Sequence, residues 1–248
     1  MSRPARAAAL TATFRKEAAD APTDFFAVEA AGLEWLRAAD ALAVPRIISV
    51  GVDHIELERI ERGPWTTAID ERFGRQLADL HRAGSETFGG HGGAYIGPLA
   101  MPNEPADDWP AFYVQQRIEP FLTGVPSAAR VTIERVIARI DELAGPAEPP
   151  ARLHGDLWRG NVLADRAGTP WVVDPAAHGG HRETDLAMMR LFGGFGERCF
   201  VAYHEAFPLA DGWRERIPLH QLHPLLVHCV LFGGVYVDQT LAAARCYA

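Results

Sequence analysis

Residues 152–163 read RLHGDLWRGNVL and contain the most informative residue spacing in the chain. It places Asp156 and Asn161 five residues apart between two short apolar runs. A second aspartate, Asp174, closes the next apolar run. A kinase catalytic loop has the form His-x-Asp-x-x-x-x-Asn followed by a metal-binding aspartate, and its first aspartate accepts the proton of the substrate hydroxyl. The spacing therefore predicts phosphoryl transfer.

The residues after this loop predict a metal site. Asn161 opens an apolar strand, and turn residues separate it from the strand that ends in Asp174. If the two strands form an antiparallel hairpin in which Asp165 faces Pro170, Asn161 lies opposite Asp174. An amide oxygen and a carboxylate, completed by phosphate and water, suit Mg²⁺. The alternative is that Asp156 sits in a capped turn and Asp174 only ends a strand, which leaves their joint spacing unexplained.

Composition and charge narrow the class of protein. With 248 residues, the chain can form one large lobe or two modest lobes. Its formal net charge of −8 argues against a nucleic-acid partner, since phosphate backbones are held by clustered Lys and Arg. No apolar run approaches the roughly 20 residues of a membrane helix, and no signal peptide is seen, so we expect a cytoplasmic protein, most simply a monomer. The three cysteines have no paired spacing.

The single lysine of the chain, Lys16, ends a predicted strand at residues 9–17. A helix is predicted over residues 23–39, and Glu29 lies on its apolar face. A buried carboxylate needs a partner, and Lys16 would supply it in the manner of the strand lysine and helix glutamate that position nucleotide phosphates in kinases. The alternative is that Glu29 lies at the edge of the apolar face and is solvated.

A boundary between two lobes is predicted near Gly63-Pro64. Two strands at residues 44–50 and 54–60 precede it, and the backbone that includes Glu58 and Ile60 would be available to an adenine, although a plain hairpin and loop is equally compatible. We therefore expect a nucleotide-binding lobe at 1–62 and a catalytic lobe at 63–248, in an α+β fold. Further predicted elements are helices at 67–82, 108–122, from 127 onward, 186–195, 200–207 and 219–237, with a long ordered loop at 84–108.

Several motifs together resemble the fructosamine kinase (ketosamine-3-kinase) family. They are HGDLWRGN at 154–161, DPA at 174–176, GHRETDLAM at 180–188 and LFG at 191–193. The Gly-Asp-Leu-Trp element distinguishes that family from the wider aminoglycoside phosphotransferase and choline kinase group, which shares the His-Gly-Asp core. The resemblance covers residues 13–237.

The resemblance implies a protein-kinase-like two-lobed fold, with a small N-terminal sheet lobe and a larger, mainly helical C-terminal lobe. It also implies ATP-dependent phosphorylation of the sugar 3-hydroxyl of ketosamines, after which the phosphate eliminates and frees the amine. By the same resemblance, Asp156 is the catalytic base, Asn161 and Asp174 hold magnesium, Lys16 contacts the phosphates, and Glu29 orients it.

The substrate side is expected to include four further residues. Trp158 resembles a residue that stacks on the sugar or amine portion, and His228 would line the same pocket. His181 and Glu183 of the GHRE motif are expected to contact the substrate as well. Lone histidines in apolar helices are otherwise usually structural, and their spacing here does not predict a metal site.

Two departures from the family pattern leave alternatives open. Only fifteen residues precede Lys16, and none is glycine. Either the start codon is misassigned or the N-terminal lobe is shortened and lacks a glycine loop, in which case we expect weaker nucleotide binding. The segment Ala177-His178-Gly179 stands where many relatives carry tyrosine, which suggests lost bulk on the substrate side. The competing functions are a phosphotransferase for another hydroxylated amine, such as an aminoglycoside or a choline-like compound, and a truncated pseudokinase. Trp158 favours the ketosamine kinase.

Overall fold

The computed structural model describes residues 12–90 and 93–248. Its N-terminal part is an antiparallel sheet with strand order β1-β3-β2. The strands are β1 (Thr13–Glu17), β2 (Ile47–Val50) and β3 (His54–Glu58). The three predicted strands are thus present and shorter than predicted, and residues 9–11 of the first one lie outside the described residues. The register places Lys16 opposite Ile55 in β3.

The helix α1 (Phe25–Arg37) packs against this sheet. Its apolar side chains recur every three to four residues, and Phe26, Leu33 and Leu36 are fully buried. Glu29 lies on the same face and is only 7% exposed. The helix therefore carries a carboxylate into the contact between sheet and core, where it requires a cationic partner.

The rest of the described chain is mainly helical. The helices are α2 (Thr67–Arg82), α3 (Trp109–Tyr113), α4 (Ser127–Ile137), α5 (Ile140–Leu143), α6 (Glu183–Phe192), α7 (Glu197–Ala206), α8 (Trp213–Phe232) and α9 (Val235–Arg245). Short strand pairs join β4 (Ala94–Ile96) to β5 (Leu99–Met101), β6 (Ala151–Leu153) to β9 (His178–Gly180), and β7 (Val162–Ala164) to β8 (Pro170–Val172). This is the predicted α+β arrangement.

Helix boundaries depart from the prediction where backbone chemistry intervenes. The helix predicted at 108–122 begins as α3 but continues as a π-helical turn and then as a 3-10 helix over Glu119–Gly124, because Pro120 lacks the amide that an α-helix needs. The helix predicted at 219–237 is two helices, α8 and α9. Gly233 and Gly234 separate them with φ angles of +59° and +57°, which end an α-helix.

The loop predicted at 84–108 contains the β4–β5 hairpin and is therefore more regular than expected. It is also tied to the catalytic region by backbone hydrogen bonds between Gly89 and Gly179. A Cβ at Gly179 would overlap the carbonyl oxygen of Thr87, so only glycine permits this close approach.

Two hydrophobic clusters form the core. One joins the N-terminal sheet and α1 to α2, α6 and α7, and it includes Phe26, Ile55, Phe73 and Val162. The other gathers side chains of α3, α4, α8 and α9. The first cluster draws on both sides of residue 62, so apolar packing fixes the sheet against the β7–β8 hairpin, and the lobe boundary stays a prediction. In the described ranges, no helix is both long and apolar enough to span a membrane.

Candidate active site

Strand β6 leads directly into the loop that carries Asp156. It pairs with β9, and the chain then turns at Gly155, whose φ is +82°. A Cβ at Gly155 would overlap the carbonyl of Ala176, so both the backbone conformation and the available space require glycine. Asp156 is consequently held by a tight turn at the wall of a cavity.

Asp156 and Asn161 meet across this loop. The side-chain amide of Asn161 donates to the Asp156 carboxylate at 3.0 Å and to the Asp156 carbonyl at 2.9 Å. Burial raises the pKa of Asp156 to about 6, although the hydrogen bond from Asn161 opposes the shift. A carboxylate with this pKa is mostly ionised at neutral pH and is a stronger base than an ordinary aspartate. Because the Asn161 nitrogen is directed at Asp156, the amide oxygen is the atom that can coordinate a cation.

The predicted register of the β7–β8 hairpin is wrong by one residue. Pro170 pairs with Ala164 instead of Asp165. The Asp165 amide donates to the Thr169 carbonyl at 3.0 Å, so the turn is residues 166–168, one residue shorter than the predicted 166–169. The Asp165 carboxylate stabilises this turn by accepting two backbone amides, at 2.9 and 2.8 Å. Asn161 is therefore not directly opposite Asp174, yet its amide nitrogen lies 3.4 Å from the Asp174 carbonyl. The two predicted metal ligands still lie at the same end of the hairpin.

The ion pair predicted between Lys16 and Glu29 is confirmed. The Lys16 ammonium donates to Glu29 at 2.8 Å and to Asp174 at 3.0 Å. Burial raises the pKa of Glu29, and Lys16 only partly offsets this. Burial alone would lower the pKa of Lys16, but the two carboxylates outweigh it and raise that pKa. Lys16 is thus a fixed cation beside Asp174, a suitable partner for phosphate oxygens.

A buried polar network anchors the catalytic loop, and sequence reasoning assigned it no role. Asp185 in α6 accepts the backbone amides of His154 and Gly155 at 2.8 and 3.0 Å. Its carboxylate also lies 3.2 Å from His81 Nε2, while His81 Nδ1 lies 2.7 Å from the Tyr203 hydroxyl. Burial opposes ionisation of Asp185, but His81 and His154 hold its pKa below the ordinary value. The one available signal was an aspartate within an apolar helix pattern.

Two cavities meet at Asp174. The smaller, of about 240 Å³, is lined in part by Lys16, Asp156, Asn161 and Trp158, together with Glu29. The larger, of about 810 Å³, is lined by residues 57–62, which include Glu58 and Ile60, and by Leu163 and Val173. The residues predicted to bind nucleotide and metal, together with Asp156 and Trp158, therefore line two cavities that share Asp174.

The predicted substrate contacts Trp158 and His228 occupy different positions. Trp158 lines the smaller cavity, and its ring lies 6.3 Å from that of Phe192. The His228 ring lies 5.1 Å from the same Phe192 ring. Phe192 thus links the two; the sequence placed it in the LFG motif but indicated no role for it.

The predicted substrate contacts His181 and Glu183 are corrected by the structure, because both lie in the interior away from the cleft. They are 3% and 2% exposed. Arg216 contacts both Glu183 oxygens, at 2.9 and 2.6 Å. Burial opposes ionisation of Glu183, but His220 and Arg216 together lower its pKa to about 2. The ligand atoms of His181, Glu183 and His220 lie within 4.8 Å of one another, but the Arg216 guanidinium, bound to both carboxylate oxygens, makes this cluster an internal ion pair.

The segment Ala177-His178-Gly179 was expected to border the substrate, but only its first residue, Ala177, lines the smaller cavity. His178 is buried with its Nδ1 donating to the Ala176 carbonyl at 2.8 Å, and Gly179 is the close contact to the 84–90 segment described above. Lost bulk therefore affects the cavity at Ala177 alone, and the other two positions serve packing.

Comparison with known proteins agrees with this geometry. The family model described as fructosamine kinase matches residues 7–245. A "Probable ketoamine kinase" of Enterococcus faecium is 36% identical over 232 residues, which cover 88% of this chain and 82% of that relative. A crystal structure from Thermobifida fusca, provisionally named a fructosamine-3-kinase, is 46% identical with a TM-score of 0.90 and covers 95% of this chain and 85% of its own.

More distant structures share the fold alone. An amicoumacin kinase, solved with AMP-PNP and Ca²⁺, is 14% identical with a TM-score of 0.57, and the match covers 95% of this chain and 79% of that one. The protein-kinase-like fold predicted from the sequence is therefore confirmed. The family model and the more similar relatives confirm an enzyme that transfers phosphate. The chain belongs to the fructosamine kinase family.

Proposed function

We propose that this kinase transfers the γ-phosphoryl group of ATP to the 3-hydroxyl of a ketosamine. The observation that carries the proposal is the position of Asp156, a base of raised pKa that lines one cavity with Lys16, Asn161, Asp174 and Trp158. The names of its relatives, ketoamine kinase and fructosamine-3-kinase, support the substrate class. The 3-phosphate would then eliminate spontaneously and release the amine, which makes the reaction a deglycation.

Asp156 is the catalytic residue in this proposal. It accepts the hydroxyl proton as the sugar oxygen bonds to the γ-phosphorus and the bond from phosphorus to the ADP oxygen breaks. The hydrogen bond from Asn161 fixes the carboxylate, and the tether of the loop to Asp185 fixes the backbone. Lys16 holds the phosphate oxygens, and Glu29 holds Lys16 in place. Catalysis here is mainly positioning and charge neutralisation.

The donor atoms suit a hard cation. The Asn161 amide oxygen and the Asp174 carboxylate would hold Mg²⁺, which would neutralise charge on the phosphates when bound. The backbone near Glu58 and Ile60 would accept the adenine in the larger cavity. We extend the proposal to the lobes themselves, with 1–62 binding nucleotide and 63–248 carrying catalysis. A cytoplasmic location and a monomeric state stay predictions.

The test is a coupled assay of ADP release with ATP, Mg²⁺ and a panel of ribulosamine, erythrulosamine, fructosamine and aminoglycoside acceptors. We expect turnover that depends on a ketosamine and is lost in Asp156→Asn, while the exposed control Asp20→Asn retains it. Turnover of aminoglycosides without turnover of any ketosamine would contradict the proposal and favour a phosphotransferase for another hydroxylated amine. Failure to bind ATP in a calorimetric titration would favour the pseudokinase.

A further inference from the structure

A strip of exposed aromatic rings leads outward from the smaller cavity. It consists of Trp158, Phe192, His228 and Phe232, which we call the aromatic strip. Trp158, Phe192 and Phe232 are 41%, 39% and 67% exposed. Successive ring centroids along the strip lie 6.3, 5.1 and 5.5 Å apart. The strip is therefore continuous from the wall of the cavity to open surface.

The outer half of the strip is held in place by its surroundings. His228 Nδ1 donates to the Pro224 carbonyl at 2.7 Å, which fixes the imidazole plane. The Tyr236 ring packs 4.8 Å from His228 and 5.9 Å from Phe232. Contiguous exposed rings on a folded protein mark a binding surface, since solvating them is unfavourable. Rings that are already ordered lose little entropy when a partner covers them.

We propose that the aromatic strip binds apolar residues that flank a glycated lysine in a peptide or protein. The inference rests on the proposed function, which places the sugar 3-hydroxyl at Asp156. Nine bonds separate that oxygen from the lysine Cα, so an extended linker reaches about 11 Å at about 1.2 Å per bond. The amine would then lie near Trp158 and the peptide backbone near Phe192 and Phe232.

This reach distinguishes a peptide from a small ketosamine. A free sugar amine ends beside Trp158 and leaves Phe232 uncovered. A residue adjacent to the glycated lysine lies one Cα step, about 3.8 Å, farther out and meets the exposed end of the strip. The occupant that covers the whole surface is therefore a chain with an apolar side chain next to its glycated lysine.

The test compares kcat/KM for three substrates that carry ribulosamine on a lysine side chain. They are N-acetyl lysine alone, a pentapeptide with leucine and phenylalanine beside the lysine, and the same pentapeptide with serine at those positions. The protein is tested unchanged, as Phe232→Ser, as Phe192→Ser, and as the matched control Val52→Ser, whose side chain is 64% exposed in the β2–β3 turn.

We expect the unchanged protein to prefer the apolar peptide over the serine peptide by roughly tenfold, about what covering one aromatic side chain supplies. Phe232→Ser should lose most of this preference without changing kcat/KM for the acetylated lysine, and Val52→Ser should keep it. Equal kcat/KM values of the unchanged protein for the two peptides would overturn the inference about the strip but not the proposed function. A preference for the apolar peptide that survives both Phe232→Ser and Phe192→Ser would do the same. Inactivity toward all three substrates would overturn the proposed function and this inference together.

Discussion

The substitution Asp185→Asn should both destabilise the protein and slow catalysis. Asp185 accepts hydrogen bonds from the amides of His154 and Gly155 and from His81 Nε2, at 2.8, 3.0 and 3.2 Å. An asparagine keeps one acceptor oxygen but turns an NH₂ group toward at least one of these donors. Loss of a buried charged acceptor in this setting costs about 3 kcal/mol. For a chain of this length, that lowers the melting temperature by about 6–12 °C.

The effect on catalysis follows from where these bonds lie. The two amides belong to the turn that precedes Asp156, so a loosened turn lets the base leave its position. We expect kcat to fall at least tenfold, since small displacements of a catalytic group are costly, while KM for ATP changes little because Lys16 is not in this network. Tyr203→Phe removes only the hydroxyl next to His81 and should cause a smaller loss of stability, about 1 kcal/mol.

The experiment is thermal unfolding by circular dichroism combined with steady-state kinetics well below the melting temperature. The exposed control Asp20→Asn should change the free energy of unfolding by less than about 0.5 kcal/mol. A melting temperature of Asp185→Asn within about 2 °C of the unchanged protein would refute the magnitude derived from the three bonds. An unchanged kcat in a folded variant would refute the positioning role.

The same network predicts how stability depends on pH. The folded pKa of Asp185 lies below its ordinary value, so its ionised form stabilises the folded state. That contribution is fully present above the unfolded pKa of about 3.9 and is lost as pH falls through the folded pKa. The stability difference between the unchanged protein and Asp185→Asn should therefore be complete at pH 7 and shrink below about pH 4.

Three further results are expected. In the proposed mechanism the ionised Asp156 is the base, and its pKa is raised to about 6. We therefore expect kcat/KM to fall tenfold per pH unit below pH 6 and to level off above it, and a flat profile between pH 5 and 7 would exclude this role. Gly179→Ala places a Cβ against the Thr87 carbonyl and should cost about 2–3 kcal/mol in urea unfolding, whereas Gly93→Ala, which meets only ordinary contacts, should cost less than about 1 kcal/mol. Glu183→Gln leaves the buried Arg216 guanidinium without its ion pair and should lower the free energy of unfolding by about 3 kcal/mol, measured by thermal unfolding. KM for the ketosamine should not change; a raised KM would mean that Glu183 contacts the substrate after all.

The chemistry of the catalytic loop is readable in the sequence because its groups are close along the chain. Asp156 and Asn161 are joined by one tight turn, and a glycine within that turn limits its conformations. The same holds for α1, where the spacing of apolar residues set the buried face and placed Glu29 on it. Local periodicity thus placed Glu29 on the buried face, while motif spacing predicted the kinase-like loop and analogy with kinases predicted the Lys16–Glu29 pair.

Errors arose where a local pattern had competing outcomes. The hairpin register was off by one because the Asp165 side chain closes a shorter turn, a choice that apolar alternation cannot reveal. The single helix predicted at 219–237 became two because consecutive glycines adopt positive φ angles, which a hydrophobic pattern does not report.

The residues proposed to perform the chemistry, Asp156, Asn161 and Asp174, could be selected from the sequence because they lie within one hairpin and its approach. The distant groups that support them became apparent only in the folded chain. Asp185 reaches the catalytic loop from 30 residues away, and Glu183, two positions earlier on α6, is instead paired with Arg216 in the interior. Both carboxylates are buried, but they meet different partners. Asp185 contacts His81 of α2, and Glu183 contacts Arg216 of α8. Such contacts join segments far apart in the chain, so the local sequence pattern does not reveal them.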